Sequence, residues 1–225
     1  MSDSPSPDEE GFADFIAANT EIVAPPLVPE VRLRLATEIT PIWQATETEL
    51  QEIGIPPPFW AFCWPGGQAL ARYVLDNPDI VRGKRVLEFA AGGAVSGIAA
   101  AVAGAAEVIA NDIDTMAVAA AQTNAALNKV TLTPSTENYL MRETPSGCDV
   151  ILAGDIFYEQ SPAVEIDVFL RREAAGGALV LIGDPGRKYL PIKNLEEVIR
   201  YEVPTSLELE DREMRDGVVW RVAEV

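Results

Sequence analysis

The sequence predicts a doubly wound α/β fold: a mostly parallel seven-stranded sheet with an N-terminal helical cap and a C-terminal antiparallel hairpin. Two observations carry this expectation. From Pro57 onward, short apolar runs alternate with stretches of helical periodicity, the pattern of a parallel sheet covered on both faces. The chain then closes on two β-like runs joined by a charged loop containing Asp216-Gly217, which adds an antiparallel pair. At 225 residues and 48% apolar composition, about 70% of the extended-chain surface can be buried, enough for one full-sized core.

The elements follow in order. Residues 1–10 are mainly Ser, Pro and acid and read as a disordered tail. Residues 11–56 read as a cap. In it, Phe12, Phe15 and Ile16 form an apolar stripe at helical spacing, and a Pro-rich connector follows. Val31, Leu33 and Leu35 then alternate as a short edge strand. Residues 41–53, with Pro near the start and acids throughout, predict a second helix. The main domain is expected over 57–225. Its strands are predicted at 85–89, 107–111, 130–134, 149–153 and 178–182, with helices at 95–102, 116–127, 164–172 and 194–201. The closing hairpin is placed at 206–209 and 218–222.

Composition narrows the chemistry. No histidine is present, which removes Ser-His-Asp and Cys-His nucleophile machinery and the commonest metal ligand. With 17 Lys+Arg against 35 Asp+Glu, the net charge of −18 opposes partners bound through phosphate neutralisation, so nucleic acid and anionic membrane are not expected. A basic, lysine-bearing partner would instead be steered in. The charge is front-loaded: the first 60 residues hold eleven acids against Arg32 and Arg34. Cys63 and Cys148 sit in apolar surroundings and read as reduced, buried thiols. The N-terminus is acidic where a targeting peptide would be basic, and no apolar run reaches membrane-spanning length. A cytoplasmic location is the expectation.

Three segments concentrate the chemistry. The first strand of the domain runs into Glu88-Phe89-Ala90-Ala91-Gly92-Gly93-Ala94, small residues that let the backbone turn and a ligand approach the following helix N-terminus. Twenty residues beyond Gly92, Asp112 ends the second strand, where a carboxylate can accept both hydroxyl hydrogens of an adenosyl ribose. As a nicotinamide fingerprint the loop is poor, because Ala90 and Ala94 stand where glycines are wanted. Asp114 reads as the N-cap of the next helix. The fourth strand ends in Asp155-Ile156-Phe157-Tyr158: an acid to fix a cationic amine and two aromatics, which either wall that site or pack beneath the sheet. Before the first core helix, Phe59, Trp60, Phe62 and Trp64 precede Pro65-Gly66-Gly67, an aromatic cover for the site or a clasp between cap and core.

These motifs together resemble the seven-stranded S-adenosylmethionine-dependent methyltransferases over roughly 57–225. The segments PPFWAFCWPGGQALARY, VLEFAAGGAVSGIAA, ANDIDTMAVAAAQTNAALN and DVILAGDIFYE resemble more narrowly the electron transfer flavoprotein β-subunit lysine methyltransferases. Enzymes that methylate ribosomal protein L11 are more distant relatives, and their Asn-Pro-Pro-type motif after the fourth strand is absent here. The resemblance implies S-adenosylmethionine as donor with no metal, a monomer, and the flavoprotein β subunit as substrate. It assigns Glu88, Gly92, Asp112, Trp64 and Gly66 to the donor pocket, with Ala90, Ile113, Asn138 and Asp155 completing that set. Asp155, Tyr158 and Phe157 become the catalytic candidates, Asp155 orienting the incoming lysine. The residues themselves leave other readings open: transfer to a small amine or another protein site, a nicotinamide-dependent oxidoreductase, or a silent adenosyl-binding module.

Overall fold

The structure is a computed structural model and describes residues 7–38, 40, 42, 57–193, 195–205 and 210–223. Helix α1 (Pro7–Asn19) and the antiparallel pair β1 (Glu21–Val23) and β2 (Leu33–Leu35) precede the main body. There follow α2 (Pro65–Asp76), β3 (Arg85–Phe89), α3 (Val95–Val102), β4 (Glu107–Asn111), α4 (Thr115–Leu127) and β5 (Thr133–Ser135). The chain continues through β6 (Val150–Gly154), α5 (Gln160–Ala175), β7 (Leu179–Asp184), β8 (Leu195–Pro204) and β9 (Met214–Val222).

The last seven strands form one sheet in the order β5-β4-β3-β6-β7-β9-β8. Pairings among β3 to β7 are parallel, and β9 runs antiparallel to both β7 and β8. Burial on both faces follows from period-two alternation along each strand. Val86, Val150, Leu152 and Leu181 join one cluster with Leu70 and Val74 of α2 and Ile98 of α3. Their neighbours Leu87, Ile151, Ala153 and Ile182 join the opposite cluster with Ile166, Phe169 and Leu170 of α5. The strand order reverses between β3 and β6, so the crevice for a ligand opens at their carboxyl ends.

The described part of the cap docks on α4. Ile16 of α1 packs with Trp60, Met116, Ala117 and Ala120, and the Arg34 backbone N–H donates to Asn124 Oδ1 at 2.7 Å. The tail expected over 1–10 is helical from Pro7, the residue that opens α1. The second cap helix expected at 41–53 and the strand expected at 206–209 lie outside the described residues, apart from residue 42.

One element differs outright. Of residues 194–201, read as a helix, 195–201 belong to strand β8, which pairs with β9 over Leu195–Pro204 with a register shift between Glu197 and Ile199. Most of its side chains are exposed, so no apolar period marks it as a strand. Cross-strand pairing decides instead: Arg221 to Glu196 at 2.5 Å and Arg200 to Asp216 at 2.7 Å bridge the ladder. The hairpin is therefore longer than predicted, with β8 as its first arm.

Candidate functional site

The loop after β3 is built to turn without side chains in the way. Ala90, Gly92 and Ala94 all have left-handed backbone, at φ 52°, 50° and 61°. Glu88, at the end of β3, is buried and serves as an internal brace. Its Oε1 accepts from the Ser96 backbone N–H at 3.0 Å and from the Ser96 hydroxyl at 2.5 Å, tying the strand to the start of α3. Its Oε2 has no hydrogen-bond partner among the described residues, and it lies so near Gly97 that a Cβ there would come within 2.4 Å. Burial pushes the Glu88 carboxyl up to about 7, against the pull of the Ser96 bonds.

Asp112 follows β4 and clamps the same loop. Its Oδ2 accepts from Gly92 N–H at 2.9 Å and its Oδ1 from Asp114 N–H at 3.0 Å. A carboxylate offers about four lone-pair positions, so two remain for hydroxyl donors. Burial raises the Asp112 pKa, and its backbone bonds oppose the rise. Asp114 caps α4 as expected, accepting from Met116 N–H at 2.9 Å. Ile113 stands 73% exposed at the rim. Asn138 is exposed, and its Oδ1 accepts from Leu140 N–H to cap a short 3₁₀ turn. That turn follows Ser135, whose carbonyl accepts the Asp112 N–H at 3.0 Å.

Asp155 lies just past β6 in a left-handed conformation, φ 55°. Its N–H donates to the Gly183 carbonyl at 2.8 Å. Its Oδ2 accepts from Gly67 N–H at the start of α2, 2.9 Å away, and its Oδ1 from Arg187 Nη2 at 3.2 Å. Burial pushes this carboxyl up to about 7; the Arg187 cation opposes the rise and Asp184 adds to it. Gly66 is a packing requirement. A Cβ on it would lie 2.2 Å from the Gly183 carbonyl oxygen and 2.6 Å from Asp155 Oδ2, so no side chain fits where α2 meets β7.

The aromatic segment spans these acids. The Trp60 backbone lies over Gly92 and Gly93, while the Phe59 ring meets Tyr158 at 5.4 Å and Trp64 at 6.3 Å between centroids. Trp64 Nε1 donates to the Phe59 carbonyl at 3.1 Å. Tyr158 is half exposed, and its hydroxyl pKa is raised by burial and by Glu159 and Asp112. Cys63 is a free thiol whose pKa is pushed up by burial, then by Asp155 and Glu88. Asp112 and Asp155 thus follow the carboxyl ends of β4 and β6 in one neighbourhood, with Tyr158 near enough to Asp112, and Cys63 near enough to Asp155, to feel their charge. Phe157 does not join it. That ring is fully buried in the α5-side cluster, so it packs beneath the sheet and is not a substrate contact.

Sequence reasoning missed Arg187 and Glu210 as members of this neighbourhood, while Phe59, read as part of an aromatic cover, does stand beside Tyr158. The turn Asp184-Pro185-Gly186-Arg187 at a strand's carboxyl end was the available signal for Arg187. Nothing local marks Glu210, which is 3% exposed and reaches Arg187 only through the fold.

Comparison with known proteins places the chain. A family model described as ribosomal protein L11 methyltransferase (PrmA) matches residues 68–159. The solved ribosomal protein L11 methylase from Lactobacillus delbrueckii subsp. bulgaricus superposes with a TM-score of 0.52 at 17% identity, covering 91% of this chain and all of that one. The electron transfer flavoprotein beta subunit lysine methyltransferase of Danio rerio is 39% identical, covering 95% of this chain and 84% of that protein. Its counterpart from Xenopus laevis is 41% identical over 92% and 85%. At that identity, sustained along nearly the whole length of both chains, the protein belongs to the electron transfer flavoprotein beta subunit lysine methyltransferase family.

Proposed function

We propose that this lysine methyltransferase acts on the electron transfer flavoprotein β subunit, with S-adenosylmethionine as donor. The observation that carries the reading is the pair of acids at the carboxyl edge of the sheet, where the strand order reverses. Asp112 is locked on the β3–α3 loop with lone pairs to spare, Tyr158 lies near enough to feel its charge and meets the Phe59 ring, and Asp155 follows the end of β6. These residues fit the donor: Asp112 would hold the ribose hydroxyls, Gly92 and Gly93 keep the loop low, and Trp64 would wall the pocket. When bound, S-adenosylmethionine supplies a methyl group already activated on a sulfonium.

The protein's own task is to present a neutral amine. A free lysine has a pKa of about 10.4, so deprotonation at pH 7 costs about 4.6 kcal/mol. Aromatic faces at Phe59 and Tyr158 accept the lysine stem and desolvate its nitrogen, which lowers that pKa. A bare carboxylate would do the opposite. Asp155 is instead compensated by Arg187 and the Gly67 N–H, so it can orient the amine while holding its proton less firmly. Alignment and water exclusion contribute the rest of the rate. The net charge of −18 suits approach of a lysine-rich surface, and the free thiols Cys63 and Cys148 suit a reducing compartment such as the cytosol.

Mass spectrometry of the purified flavoprotein β subunit, before and after incubation with this protein and donor, tests the assignment. Methyl additions on lysine are expected. An unchanged β subunit, alongside another lysine-methylated protein in lysate, would overturn the substrate.

A further inference from the structure

The mechanism above uses Asp155 but not what holds it. Strand β7 ends at Asp184, a fully buried acid whose Oδ1 accepts from Gly186 N–H at 2.7 Å and Arg187 N–H at 2.6 Å. This turn projects Arg187 back over the sheet edge. There its guanidinium meets three groups from three separate segments. Nη2 donates to Asp155 Oδ1 at 3.2 Å and to Glu210 Oε1 at 2.5 Å, Nη1 reaches Glu210 Oε2 at 3.3 Å, and the guanidinium carbon lies 5.5 Å from the Trp64 ring centre. Glu210 also faces Arg215 Nε at 3.1 Å. The Asp155 and Glu210 side chains are only 7% and 1% exposed, so the pairing runs in a low-dielectric setting where a missing partner is costly.

We propose that Arg187 is the positioning residue of Asp155, holding it as an oriented carboxylate, and that Glu210 governs the hold by competing for the same guanidinium. This rests on the reading of Asp155 as the substrate acid. The distances state the competition directly: the shared Nη2 sits closer to Glu210 than to Asp155. Among the described residues, few other groups face Asp155. Asp184 comes from the β7 loop, the Cys63 thiol from the aromatic segment with Glu88 beyond it, and Gly67 N–H from the start of α2. Among the described residues Arg187 is the cation that contacts Asp155 directly, so its removal leaves that acid beside Asp184 without a countercharge from them, and the neutral form is then favoured. Removing the charge of Glu210 acts in the opposite direction, because Asp155 then has more of the guanidinium.

The test separates this coupling from the function it serves. Carbon-13 NMR titration of aspartate-labelled protein, with the Asp155 carboxyl assigned through Asp155→Asn, reads the acid directly without substrate. Arg187→Met is expected to raise the Asp155 midpoint by about one unit or more, a tenfold change in the ratio of ionised to neutral acid. Arg187→Lys should restore much of it, and Glu210→Gln should lower the midpoint. If Arg187→Met does not fold, the other two variants decide. An unmoved midpoint, or Glu210→Gln shifting it upward, overturns the proposal. The pH profile of methyl transfer, measured on the same variants, should follow the NMR midpoints. Midpoints that move while rates ignore them would remove Asp155 as the substrate acid and leave the coupling standing.

Discussion

Asp112 Oδ2 accepts the Gly92 backbone N–H at 2.9 Å, so the acid that ends one strand fixes the loop that follows its neighbour. The contact joins two motifs twenty residues apart and presets the loop before any ligand arrives.

Asp112→Ala removes both the clamp and the acceptor offered to the donor's ribose. Hydrogen bonds to charged groups contribute about 1.5–3 kcal/mol each. Calorimetry with S-adenosylhomocysteine should show affinity reduced about tenfold to a hundredfold. Unchanged affinity would remove Asp112 from the donor site.

The exposed ring of Phe59 meets the half-exposed Tyr158 ring at a tilt of 52°. Phe59→Ala should raise KM for the protein substrate by roughly 3- to 30-fold, the range of an aromatic contact with a cation. Donor affinity should hold. Equal loss in both would mean that the ring supports the pocket as a whole.

Glu88 carries a pKa raised to about 7 by burial. An acid whose folded pKa lies above its unfolded value binds more protons when folded, so its contribution to stability is greatest at low pH. That contribution is lost as pH rises from about 4.5 through 7. Glu88→Gln should flatten this part of the stability curve, measured by urea unfolding at several pH values. A slope identical to wild type sinks the prediction.

Ala90 is exposed and held at φ 52°, a conformation costing a residue with a Cβ roughly 1–2 kcal/mol. Ala90→Gly should therefore stabilise the fold by up to about 1 kcal/mol after the entropy of the unfolded glycine is set against the relief. Ala94, at φ 61° but fully buried, should gain less, since its methyl group is also lost from the core. Thermal unfolding distinguishes the two, and a destabilised Ala90→Gly would contradict the strain.

Gly66→Ala places a Cβ 2.2 Å from the Gly183 carbonyl oxygen. The backbone of α2 must move off β7, at a cost of about 3 kcal/mol or more. Denaturant unfolding should show it; a loss below about 1 kcal/mol would mean that the contact is soft.

The alternating strands and helices, the small-residue loop and the acids at strand ends were legible because each leaves a local signature of period, composition or spacing. Asp112, Asp114 and Asp155 were found that way. Strand β8 was not, because an exposed edge strand has no buried face to impose a period, and Leu195, Val198 and Ile199 fit a helix equally well. Phe157 and Tyr158 are neighbours with opposite fates, one fully buried and one half exposed. Composition cannot separate them; only the direction of the chain leaving β6 does. Arg187 and Glu210 lie 32 and 55 positions beyond Asp155, so their meeting with it is a property of tertiary folding alone.

The φ of 55° at Asp155 narrows the alphabet at that position before chemistry is considered. Asparagine and aspartate tolerate such a turn better than other residues with side chains. Alanine or glutamate there would perturb the main chain along with the charge. Asparagine is accordingly the clean probe of this acid, and a drift from Asp to Asn is the shortest route by which this scaffold could keep its shape and lose its ion.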